Sequence, residues 1–249
     1  MMNYRILFSL AFVPMFAVAQ DYVLYETQYL TPLPGHENEL SLALERHNKR
    51  FHAEEPYAAF VRYVINGPRS GDYFWIMGPS TYSDYDHRPT GDPHDSDWSN
   101  AVMAHAQSGE VEYWIQSDEL SYTPEGSEDE DRPLSRVRFF EVSDNALFQE
   151  LQSQITEVRA AMDSPQPRLM YRKQFQHKDG RDWAAVVGYS GWSELDDEGG
   201  NFPETFREIH GEAAWDTFQE QIATTIIGRE DEWQEVIPAL NGAGGEVDD

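Results

Sequence analysis

Two arginines stand 110 positions apart in similar surroundings. Arg62 lies within Phe60-Val61-Arg62-Tyr63-Val64-Ile65, and Arg172 follows Met170-Tyr171. Both runs read as strands, so each guanidinium sits mid-sheet among apolar side chains. A buried, unpaired charge is prohibitive, and such an arginine needs a partner. The expected partner is a strand carboxylate, Glu26 or Glu141. The alternative is a ligand carboxylate, which the planar guanidinium fork holds bidentately. Trp75 and Trp183 are strand tryptophans that, with nearby tyrosines, could line a flat apolar pocket, although core packing is the commoner use of such rings. Arg62, Arg172, Trp75 and Trp183 are therefore the ligand-binding candidates.

The histidines are scattered. No His-Glu-x-x-His pattern occurs, and His47 and His52, five apart, do not share a helical face. His87, Asp92, His94, Asp95 and Asp97 crowd one loop with imidazole and carboxylate groups that suit divalent metals. The loop lacks the glycine and terminal glutamate of a calcium site, and a solvated turn is the expected reading. His210 and His105 are the candidates for general-base or haem-ligand work. Gly188-Tyr189-Ser190-Gly191-Trp192 is no nucleophile elbow, because tryptophan stands where the second glycine belongs. The absence of cysteine excludes thiol nucleophiles, iron–sulfur clusters and thiolate zinc. No cofactor is expected.

The elements that carry these residues are written twice. Residues 72–86 align without a gap onto 182–196, with identities at Asp72/Asp182, Gly78/Gly188, Ser80/Ser190, Ser83/Ser193 and Asp86/Asp196. Each copy reads strand, helix, strand, strand, helix, strand. In the first copy, strands are expected at 22–30, 58–65, 73–77 and 111–120. Its helices are a segment with Leu40, Leu44, His47 and Phe51 on one face and another over 98–107. In the second, strands are expected at 137–142, 169–175, 183–187 and 232–240. Its helices span 146–161, with Leu147, Leu151, Ile155, Val158 and Met162 on one face, and 203–225. Ser83 and Ser193 are expected to cap the turn after the third strand of each copy, with Asp86 and Asp196 complementing the helix dipole. The first unit spans 20–122 and the second 134–241. Between them, 123–133 is an acidic, proline-bounded linker, and 242–249 is a disordered acidic tail.

A unit of this order covers one sheet face with helices and leaves the other bare, so it needs a partner. Two tandem units can cover each other, giving an α+β intramolecular barrel of two ferredoxin-like units packed sheet to sheet, helices outside. The Trp192-Ser193-Glu194 turn, with its relative Tyr82-Ser83-Asp84, resembles a turn of the dimeric α+β barrel superfamily. That resemblance covers roughly 22–120 and 136–240 and implies the fold. It also implies a menu of functions that includes antibiotic-biosynthesis-type monooxygenases and haem-handling enzymes.

Residues 1–19 read as a signal peptide: Arg5, an apolar run from Ile6 to Phe16, then Ala17-Val18-Ala19. The chain is thus expected to be exported, periplasmic or extracellular, and bacterial given the absence of cysteine. The formal charge of −27 repels nucleic acid and anionic lipid, leaving a small molecule as the expected partner and no membrane once the leader is removed. The expected role is binding a small, partly apolar molecule in the barrel lumen, with a monooxygenase-like or haem-handling enzyme and a divalent-metal module as alternatives.

Overall fold

The computed structural model describes residues 22–127, 131–196 and 200–242. The leader, residues 128–130 of the linker and residues 243–249 of the tail lie outside them. The first unit comprises β1 (Leu24–Pro32), α1 (Glu37–Phe51), β2 (Ala59–Asn66), β3 (Tyr73–Ser80), short turns α2 (Tyr82–Tyr85) and α3 (His94–Asp97), and β4 (Ala106–Gln116). The second comprises β5 (Leu134–Val142), α4 (Asn145–Ala161), β6 (Arg168–Lys173), β7 (Trp183–Tyr189), α5 (Phe202–His210), α6 (Glu212–Thr225) and β8 (Ile226–Val236).

The eight strands close into one antiparallel barrel in the order β1-β3-β2-β8-β5-β7-β6-β4. The two units join edge to edge, β2 with β8 and β4 with β6, so neither sheet keeps an open edge. Strand alternation then sends one side-chain set into the lumen and the other under the helices. Leu40 and Leu44 of α1 pack with Val61, Trp75 and Met77 of the sheet. In the second unit Leu151 and Val158 of α4 pack with Phe206 and Phe218 of α5 and α6.

The last strand of each copy begins ahead of the expected 111 and 232, at Ala106 and Ile226, and three further local expectations change. The helix over 98–107 is a single wide turn at Trp98–Val102, after which the chain is already strand at Ala106. The helix over 203–225 is two helices broken at Gly211, whose φ of 93° is a left-handed conformation that glycine adopts freely. The capping groups are the carboxylates of the corresponding pair Asp84 and Glu194, and not Ser83 and Ser193. The Thr81 backbone N–H donates to Asp84 Oδ2 at 2.7 Å, and that of Ser190 to Glu194 Oε1 at 3.0 Å. Ser83 Oγ instead meets Thr81 Oγ1 at 2.8 Å. Replacing Asp84 or Glu194 with Ala is expected to cost about 1 kcal/mol each, read by chemical denaturation, with Ser83→Ala smaller.

Candidate functional site

The lumen is lined from all eight strands, including Thr27, Arg62, Phe74, Trp114, Val137 and Tyr171, around a cavity of about 290 Å³. Arg62 points into it. Its Nη1 donates to Ser135 Oγ at 2.7 Å, and burial lowers its pKa. Neither expected carboxylate reaches it. Glu26 is buried against Arg88, 2.9 Å away, and Glu141 is exposed outside the barrel. The hydroxyl of Thr27 is also buried in this lumen without a partner.

Arg172 does not join Arg62. It pairs with Trp183, whereas Arg62 pairs with Phe74, and the residue opposite Ala184, the counterpart of Phe74, is Tyr171. The second copy is thus offset by one residue on this strand, and a one-residue slip reverses the face a side chain takes. Tyr171 enters the lumen and Arg172 is exposed. Trp75 and Trp183 likewise leave the lumen: their indole N–H groups donate to Asn48 Oδ1 at 3.0 Å and Asn145 Oδ1 at 2.8 Å, beneath α1 and α4.

A larger cavity, about 740 Å³, lies between the outer sheet face and α4, α5 and α6. Its walls include Phe140, Ile155, Phe202, Phe218, Ile222 and Ile226. Five arginines face it: Arg136 and Arg138 from β5, Arg159 from α4, Arg168 from β6 and Arg229 from β8. Arg138 is paired with Asp231 through contacts of 2.6 and 2.7 Å. Arg168 is different. It is 7% exposed, its Nη2 donates to Gln152 Oε1, and its Nη1 is buried with no partner. Burial, followed by the charges of Arg159, Arg138 and Arg136, pushes its pKa down to about 9. Sequence reasoning missed this site. The arginines come from four elements, and only alternation along 134–142, which puts Arg136 and Arg138 on one face, hinted at it.

The histidine–aspartate loop divides. His94 turns inward to meet His47 of α1 and His52 just beyond it, with one ring nitrogen of each lying within 4.8 Å of the others. Asp95 and Asp97 are hydrogen-bonded to His94 and His47. Asp92 accepts a hydrogen bond from Ser96, and exposed His87 bonds the Ser83 carbonyl. Burial lowers the pKa of His47 and takes that of His52 down to about 3, so both rings are neutral at neutral pH. His105 Nδ1 lies 2.9 Å from His36 Nδ1. His210 packs on Phe206 with its Nε2 3.6 Å from Glu157. Neither His105 nor His210 lines the lumen or the arginine cavity.

No protein-family model matches this sequence, and no curated protein matches it. Solved structures do. A monooxygenase-like protein from Lactobacillus acidophilus NCFM superposes with a TM-score of 0.56 at 12% identity, covering 90% of this chain and 98% of its own. An anthrone oxidase-like protein gives 0.57 at 10% identity over 88% and 92%. Chlorite dismutase from Candidatus Nitrospira defluvii, in complex with imidazole, gives 0.53 at 10% identity over 87% and 92%. The chain has the dimeric α+β barrel fold. In this α+β barrel both units come from one chain, as the sequence repeat implied.

The haem-handling alternative can be tested on this α+β barrel. The arginine cavity carries positive charge, yet among the described residues no histidine, methionine or tyrosine lines it, and the chain has no cysteine. An iron there would lack a protein axial ligand of the usual kinds. The lining of this cavity therefore does not supply a haem ligand.

Proposed function

We propose that this chain binds a small anionic molecule with an apolar body in the cavity under α4, α5 and α6 of its second unit. The observation that carries the reading is Arg168: a buried guanidinium, crowded by three other arginines, with one nitrogen unpartnered and no carboxylate paired to it among the described residues. An anion would supply the missing charge and hydrogen bonds. The surrounding phenylalanines and isoleucines would take the apolar body, the usual division of labour in a ligand pocket. Export follows from residues 1–19 as an expectation of the same proposal, with a partner that is a small molecule and not nucleic acid.

The lumen supports a second reading, in which Arg62 and the lone Thr27 hydroxyl hold a smaller ligand. The monooxygenase-like alternative would place its substrate in one of these two cavities, and oxygen uptake with a bound substrate would be its mark.

Dodecanoate, with dodecanol as its neutral counterpart, separates these readings by calorimetry and thermal shift. Dodecanoate is expected to bind and dodecanol to bind weakly or not at all. Arg168→Gln is expected to weaken binding tenfold to a hundredfold, roughly the 1.5–3 kcal/mol of a hydrogen bond to a charged group. Arg62→Gln should leave it unchanged. Loss with Arg62→Gln alone would move the ligand to the lumen, and equal binding of acid and alcohol would overturn anion recognition.

A further inference from the structure

The imidazoles of His47, His52 and His94 are oriented as a set. Each has its Nδ1 against a group that only accepts hydrogen bonds: His47 against Asp97 Oδ2 at 2.8 Å, His52 against the Tyr57 carbonyl at 2.9 Å, and His94 against Asp95 Oδ1 at 2.9 Å. An acceptor there requires a proton on Nδ1, and a neutral ring then carries its lone pair on Nε2. His52 Nε2 and His94 Nε2 lie 3.2 Å apart, and His47 Nε2 is buried with no partner. Three lone pairs therefore lack donors, and the nearest two face each other. One proton shared between His52 and His94 would satisfy those two and still leave His47 Nε2 bare. A cation at the centre satisfies all three.

We propose that His47, His52 and His94 bind a divalent transition metal through Nε2, with Asp97, Asp95 and the Tyr57 carbonyl orienting the rings. Three outer partners holding the distal nitrogens of three imidazoles is the arrangement that fixes tautomer and raises ligand basicity in histidine metal sites. Imidazole selects zinc, copper, cobalt or nickel over calcium or magnesium. His52 and His94 also line a cavity of about 310 Å³, together with Glu26, Trp75, Arg88 and Trp98. Three protein ligands beside an accessible cavity leave a coordination position open, the pattern of catalytic and not of structural zinc. This centre belongs to the first unit, separate from the arginine cavity of the second, and stands whether or not an anion binds there.

Metal-depleted full-length protein, titrated with zinc and separately with cobalt(II), tests the assignment. One ion per chain is expected, with a rise in melting temperature and, for cobalt, the visible absorption of a low-coordinate site. His94→Gln, on a turn away from the main core, should abolish the cobalt spectrum and the thermal shift. Asp97→Asn should weaken binding by about tenfold to a hundredfold while leaving one ion per chain. Absence of binding, or binding that persists unchanged in both His94→Gln and His52→Gln, would overturn the site and assign any residual affinity to the acidic surface.

Discussion

Above about pH 10, the ordinary pKa of tyrosine, this protein is expected to unfold in one steep alkaline transition. Burial raises the phenols of Tyr29 and Tyr171, and also those of Tyr25, Tyr73, Tyr85 and Tyr113. Tyr29 is 3% exposed and donates to Glu232 Oε2 at 2.8 Å, so ionising it would oppose a second negative group. The unfolded chain releases these protons near pH 10 while the folded chain holds them. The contribution is complete below that pH and is lost as pH rises toward the folded values. Each phenol the folded chain keeps protonated removes about 1.4 kcal/mol per pH unit, so Tyr29 and Tyr171 together remove roughly 3. Against a typical total of about 5–15 kcal/mol, a few pH units suffice. Tyrosinate absorbance and far-ultraviolet circular dichroism should move together. Phenols titrating near pH 10 while the barrel stays intact would contradict the burial assigned to them.

Either unit expressed alone is expected to lose its fixed tertiary structure or to self-associate. The seams β2–β8 and β4–β6 supply both edges of each sheet, and buried polar partners cross them. Lys173 of the second unit, 1% exposed at its side chain, lies 2.7 Å from Glu112 of the first. Glu232, fully buried, accepts from Tyr29 across the units. Removing one partner of a buried ion pair costs about 3–5 kcal/mol. Each lumen-facing ring returned to water, Phe74 and Trp114 among them, costs about a further 1.5–3 kcal/mol. Residues 22–122 and 131–242, produced separately, should lack near-ultraviolet dichroism as monomers and regain it when mixed. A monomeric half that melts cooperatively by itself would defeat this account.

The candidate sites were less legible than the frame. Helical spacing set His47 and His52 apart, but His52 lies beyond the end of α1, with φ −131° and ψ 33°, where that spacing no longer applies. His94 arrives from a loop 42 residues later, a separation local pattern does not bridge. Of the histidine–aspartate loop, only His94 turns toward other imidazoles, while Asp95 and Asp97 orient rings. Arg62 does lie on an apolar strand facing the lumen, but the expected pairing with Glu26 fails because Arg88 holds that carboxylate.

By itself the sequence determined the repeat, the α+β class and the positions of most strands and long helices. Those depend on short-range periodicity, which a local pattern records directly. Tertiary structure alone decided which face each chemical group takes. A shift of one residue on β6 put Tyr171 where Arg172 was expected, and closure of the barrel gathered five arginines from four elements. Register and long-range closure depend on the summed packing of both units, so no single stretch of residues carries them.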